Sequence, residues 1–175
     1  MFVLRATQKV LRTLPRSADD VAVSDTALGD WYVNRITVDR QPILLLVSST
    51  SLLAMLTHAR NVKTLPSRVS ELVANRLRRM GIDEHLIHAE VQAMDLAVVG
   101  PTRDRSVTGQ MVDFAKAVPY YVPMGDLDGS MLRFAEDRLG ETPCRSSRSD
   151  AATVWPARDA ARLLAERWSA TKTVH

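Results

Sequence analysis

The spacing of apolar residues divides the chain into short strands and amphipathic helices. Residues 2–5 read as an apolar strand, and Thr7 then caps a helix carrying Val10, Leu11 and Leu14 on one side until Pro15 stops it. The β-branched and aromatic run at 31–38 predicts a second strand. Residues 43–47, reached through Asp39, Arg40, Gln41 and Pro42, predict its hairpin partner. The apolar residues of 51–59 match neither period cleanly, and a strand is the favoured reading. From Pro66 the period turns helical: Val69, Leu72, Val73, Leu77 and Met80 form a stripe, and Gly81 stands where the helix should stop. Asp83 opens a second helix with Leu86, Ile87, Val91 and Met94 turned inward, so the two make an αα-hairpin. A brief strand at 96–99 leads to a helix capped by Ser106, with Val107, Met111, Phe114 and Val118 buried. Helices at 128–139 and from Pro156 follow. The last docks within the chain through Ala160, Leu163, Leu164 and Trp168.

These elements predict a single α+β domain over residues 1–170, with a tail at 171–175. Its small, mostly antiparallel sheet of about four or five strands packs against about five helices. The polar segments 16–28 and 145–153 read as exposed loops, the first long for a compact domain.

Composition adds limits. A chain of 175 residues, 46% hydrophobic and 25% charged, buries a sufficient core without disulfides or metals. One cysteine, Cys144, makes neither an internal bridge nor a cysteine-based zinc site. Arg5 and Lys9 interrupt the opening where a signal peptide needs an apolar run, and the most hydrophobic segment, 43–56, is too short to span a bilayer. A cytoplasmic protein without a membrane partner is therefore expected. The net charge is +3 and the basic residues are mostly arginine, as a GC-rich genome would also produce, so charge alone selects no partner.

The chemistry concentrates in RDRSVTGQMVDFAKAV at 103–118. On a helix capped by Ser106, the residues Arg105, Gly109, Asp113 and Lys116 share a face apart from the buried stripe. A glycine so early in a helix destabilises it by about 1 kcal/mol relative to alanine, which points to a close approach by a strand or an anion. The helix amino terminus, flanked by Arg103, Arg105 and Ser106, suits an anion or a phosphate. Trp31 and Tyr32 read as core and edge aromatics; alternatively Tyr32 and Asp30 line a groove with Arg5 and Arg105, where a base stacks on the ring.

The blocks RATQK at 5–9, LGDWY at 28–32, RSVTGQMVDF at 105–114 and RLGETPC at 138–144 resemble those of an uncharacterised bacterial domain family, over nearly the whole chain. That pattern reads RSVLGSMNDF, from which Thr108, Gln110 and Val112 depart. The resemblance implies one domain through the last block and brings no activity, ligand or partner. It draws Arg5, Lys9, Asp30, Tyr32, Arg105 and Asp113 together as candidates for one site.

Other constellations carry less. His85 and His88 lie three apart beside Glu84 and Glu90, but no cysteine is near and HExxH is absent, so solvated histidines are expected rather than a metal site. There is no Walker loop, no GxGxxG after a strand and no GxSxG elbow, and no cofactor is expected. Ser106 as a nucleophile would need a base, for which His58 is the only histidine near the sheet. Three functions remain. The first is a binding module for nucleic acid or another phosphate-bearing ligand at the basic helix terminus. The second is a hydrolase or nuclease using Asp30 or Asp113 as base or metal ligand and Arg105 to stabilise charge. The third is a protein-interaction module of a regulatory or defence system, using the terminal helix or 16–28. If the same arginines and carboxylates proved buried and mutually satisfied, they would be structural.

Overall fold

The computed structural model describes residues 1–15, 22–122, 127–145 and 153–169. The chain runs through β1 (Phe2–Ala6), α1 (Gln8–Leu11), β2 (Trp31–Val38), β3 (Gln41–Ser48) and β4 (Ala54–His58). After a 3₁₀ turn at Val62–Thr64 come α2 (Leu65–Arg79), α3 (Glu84–Ala93), β5 (Ala97–Pro101), α4 (Arg105–Tyr121), α5 (Gly129–Gly140) and α6 (Pro156–Ser169). The strands form one five-stranded sheet in the order β4-β3-β2-β1-β5. The α+β class agrees with expectation, but the pairing is more evenly divided than expected. β1 lies parallel to both β2 and β5, while β2–β3 and β3–β4 are antiparallel. Hairpins account for the antiparallel half; the long connections into β2 and β5 permit the parallel half.

The expected β2–β3 hairpin turns on only two residues, Asp39 and Arg40, both at positive φ, so Gln41 and Pro42 already belong to the strand. The strand reading of 51–59 holds over β4. Gly81, at φ +74°, ends the α2 turn as expected, and its N–H donates to the Arg78 carbonyl.

Alternation along the strands divides the core between the two faces of the sheet. Phe2, Leu4, Trp31, Val33, Leu44, Leu46 and Met55 meet α1, α2, α3 and α6 on one face, with Val69, Val73, Leu77, Ile87, Ala160 and Leu164 among the helical side chains. On the other, Tyr32, Val38, Ile43, Leu45, Val47 and Leu56 meet α4 and α5 through Val107, Met111, Phe114, Val118, Leu132 and Leu139. No β1 or β5 residue belongs to that second cluster. The second helical layer therefore stops at β2, and beyond it on that face Arg5, Asp30 and Ser24 are joined by hydrogen bonds.

The segment 16–28 is only partly the exposed loop that was expected. Residues 16–21 lie outside the described residues, but Thr26, Ala27 and Leu28 are buried. The Ala27 and Leu28 N–H groups donate to Glu90, which draws the segment inward. In the second expected loop, 146–152 lie outside the described residues, as do 170–175 with the expected tail. The α6 helix docks within the chain as expected, and its Trp168 indole donates to Glu90 at 2.8 Å. Among the described residues, no helix is long and apolar enough to cross a membrane.

Candidate functional site

The margin of the second helical layer brings two distant segments together. Strand register sets Arg5 of β1 beside Tyr32 of β2 and Gly100 of β5. Asp30 stands at the entry to β2, where Gly29 turns the chain at φ +71°. A Cβ at Gly29 would collide with Ser49 Oγ, which accepts the Asp30 N–H at 2.9 Å. This contact gives the LGDWY block a structural reason for its glycine.

Beyond β5 the chain passes over Tyr32 into α4. Asp104, not Ser106, is the N-cap: its backbone is extended, and its carboxylate accepts the Ser106 N–H at 2.8 Å. The Tyr32 hydroxyl accepts the Asp104 N–H at 3.2 Å. Asp30, Tyr32, Ser49, Arg103, Asp104 and Arg105 together line a pocket of about 440 Å³. Four of these, Asp30, Tyr32, Arg103 and Arg105, are residues singled out in the sequence.

The others fall elsewhere. Arg5 is fully buried behind Asp30, its Nε donating to Asp30 Oδ2 at 2.9 Å and its Nη2 to the Ala22 carbonyl at 2.7 Å. Its Nη1 is buried and has no hydrogen-bond partner among the described residues. Ser24 Oγ donates to the other Asp30 oxygen, so both carboxylate oxygens are engaged. Ser106 is a helical residue that gives its N–H to the cap. Lys9, Gly109 and Asp113 are exposed and do not line the pocket. The close approach expected at Gly109 is not made among the described residues, since a Cβ there would meet nothing within 4 Å.

At the α4 amino terminus the Asp104 carboxylate takes up the Ser106 N–H. Trp31 and Tyr32 are buried, as the core and edge reading expected; the alternative of a base stacked on Tyr32 finds no open ring, because Tyr32 is only 2% exposed and its hydroxyl holds the loop. The positive charge at the pocket comes from Arg103 and Arg105. Both are exposed, and neither guanidinium makes an ion pair or hydrogen bond among the described residues.

A larger pocket, of about 540 Å³, opens at the β4 edge between α2 and α5, lined in part by His58, Asn75, Arg78, Arg79, Arg133 and Glu136. Of its three arginines, Arg78 and Arg79 hold carboxylates and Arg133 makes no ion pair among the described residues. Glu136, 4% exposed, accepts the outward N–H of Leu56 at 2.7 Å and an ion pair from Arg79. Arg76 beside it pairs with Asp137, and Arg78 pairs with Glu84 at 2.6 Å. Burial pushes the Glu136 carboxyl above the ordinary range, against the pull of Leu56 N–H and the two arginines. Here a carboxylate closes an edge strand that would otherwise offer a free N–H.

Sequence reading missed Glu90 and Glu136 as core residues, and Ser49 and Asp104 as pocket residues. Only Asp104 left a usable signal: an aspartate just before a helical stripe is a strong N-cap. His85 and His88 are exposed on α3, and among the described residues no three His, Cys, Asp or Glu side chains gather where they could hold a metal ion.

Residues 3–159 match a family model described as Domain of unknown function (DUF6933), and the chain belongs to that family. The segments 5–9, 28–32, 105–114 and 138–144 that carried the resemblance lie inside the matched span. No curated protein and no solved structure matches the chain.

Proposed function

We propose that this member of a domain family of unknown function is a binding module for a phosphate-bearing ligand, a nucleotide or a nucleic acid, held at the start of α4. The observation that carries the reading is the pair of exposed arginines, Arg103 and Arg105, unengaged among the described residues beside a polar pocket. Guanidinium groups form charge-assisted, often bidentate bonds to phosphate, and an unpaired one loses no internal partner on binding. Preorganisation supports the same reading. Tyr32 holds the Asp104 N–H and the Asp104 carboxylate caps α4, so the residue between the two arginines is fixed on both sides.

A cytoplasmic location goes with this reading. Cys144 is buried, and burial pushes its thiol up to about 11, a form that resists oxidation.

The test is binding of a fluorescent nucleoside triphosphate and of short labelled single-stranded and duplex RNA and DNA, at two salt concentrations. Wild type, Arg105→Ala and Arg78→Ala are compared, and the probes are inspected afterwards for cleavage. The expected result is salt-sensitive binding that Arg105→Ala weakens about tenfold or more and Arg78→Ala leaves unchanged. No binding at low salt, or equal loss in both variants, overturns the reading. Cleavage of a probe replaces the binding module with an enzyme.

A further inference from the structure

Resting on that reading, we infer that the ligand is a single-stranded nucleic acid that runs from the Arg103 and Arg105 pocket along the exposed face of α4 to Tyr120. Arg105, Gly109, Val112, Lys116 and Tyr120 succeed one another at helical spacings of three and four, and all are exposed. They lie away from the buried stripe of Val107, Met111, Phe114 and Val118. Tyr120 is 88% exposed and Val112 50%. Single exposed apolar residues are ordinary, but here they alternate with cations on one face.

Gly109 fits this path. Its missing side chain serves no packing among the described residues, where a Cβ would meet nothing within 4 Å. Between Arg105 and Lys116 it leaves bare backbone against which a strand can lie. Arg103, Arg105 and Lys116 supply positive charge along the track, against the exposed carboxylate of Asp113 beside it.

Binders of single strands combine a cationic groove with aromatic rings on which bases stack. Tyr32 is too buried for that role, whereas Tyr120 offers an open ring on the same helix as Arg105. Along α4 the two stand about 22 Å apart, the reach of roughly six or seven nucleotides at about 3.4 Å each. A mononucleotide covers only the pocket end. A duplex keeps its bases stacked inside and away from Tyr120.

The test compares a labelled single-stranded octamer, its duplex and a labelled nucleoside triphosphate, on wild type, Arg105→Ala, Lys116→Ala and Tyr120→Ala. All three side chains are solvent-exposed, so their removal leaves the core intact. Wild type should bind the octamer more tightly than either other probe. Tyr120→Ala should weaken the octamer about fivefold or more. Lys116→Ala should weaken it and lower the slope of log affinity against log salt by about 0.7, and neither variant should alter triphosphate binding. If Arg105→Ala weakens both probes while Lys116→Ala and Tyr120→Ala bind the octamer like wild type, the path is wrong and the pocket stands. Equal affinity for the duplex overturns the choice of a single strand. Failure of wild type to bind any probe overturns path and pocket together.

Discussion

The pocket at the β4 edge and the pocket at the start of α4 are both bordered by arginines, and they differ in what those arginines already hold. At the β4 edge Arg79 is tied to the buried Glu136 and the half-exposed Arg78 to Glu84, while Arg133 makes no ion pair among the described residues. At the start of α4, Arg5 is tied to Asp30, while Arg103 and Arg105 remain unengaged among the described residues. Volume favours the first pocket and charge balance favours the second. A buried arginine needs its carboxylate to offset desolvation, so such pairs hold the fold, whereas an exposed unpaired arginine keeps its full capacity for an anion.

Glu136→Ala carries the largest expected effect. It strands Arg79 and the Leu56 N–H beside a buried site, and should lower the free energy of unfolding by about 3–5 kcal/mol in denaturant titration. A loss below about 1 kcal/mol would mean that the β4-edge arginines are as uncommitted as those of α4.

Asp30→Asn keeps the shape but removes the charge facing Arg5, and should destabilise by about 1.5–3 kcal/mol. If the fold is unaffected, Arg5 is not a structural member and the α4 pocket gains a third available cation.

Glu90 provides a buried carboxylate with no arginine bonded to it among the described residues. It accepts the N–H groups of Ala27 and Leu28 and the Trp168 indole. Burial pushes its carboxyl above the ordinary 4.5, and those three donors offset only part of that rise. With a folded-state value above the unfolded one, its contribution is fully present below about pH 4.5 and is lost as pH rises through the folded value. The stability of wild type relative to Glu90→Gln should therefore fall from pH 4 to pH 8, as equilibrium unfolding at each pH would read. A rising difference would show that hydrogen-bond donors outweigh burial at this site.

The smallest change in stability belongs to Arg103→Ala and Arg105→Ala, which should shift unfolding by no more than about 0.5 kcal/mol while weakening phosphate-ligand binding. A thermal melt that drops as far as for Asp30→Asn would make these arginines structural and remove the contrast between the pockets.

Much of the fold was legible because its signals are local. The stripe Val107, Met111, Phe114 and Val118 is buried as its spacing required, and Val69, Val73 and Leu77 likewise. The RDRS segment was legible as a basic helix start because its cations directly precede the helical stripe. Its cap was assigned to Ser106 rather than Asp104, since both residue types cap helices and only the backbone distinguishes them. Lys9, Gly109 and Asp113 stand within a few residues of Arg5 and Arg105 in the sequence, but such proximity carries no information about which face of a strand or helix they occupy.

The sequence by itself determined the strands, the helices, their apolar faces and the basic start of α4, because these follow from side-chain period and local backbone preference. Tertiary structure alone decided that Arg5 is buried against Asp30 while Arg103 and Arg105 are exposed, and that Glu90 and Glu136 belong to the interior. An arginine or glutamate is written identically whether solvated or paired. What separates the two cases is strand register and helix docking, which bring together residues 25 positions apart at Arg5 and Asp30 and 80 apart at Leu56 and Glu136.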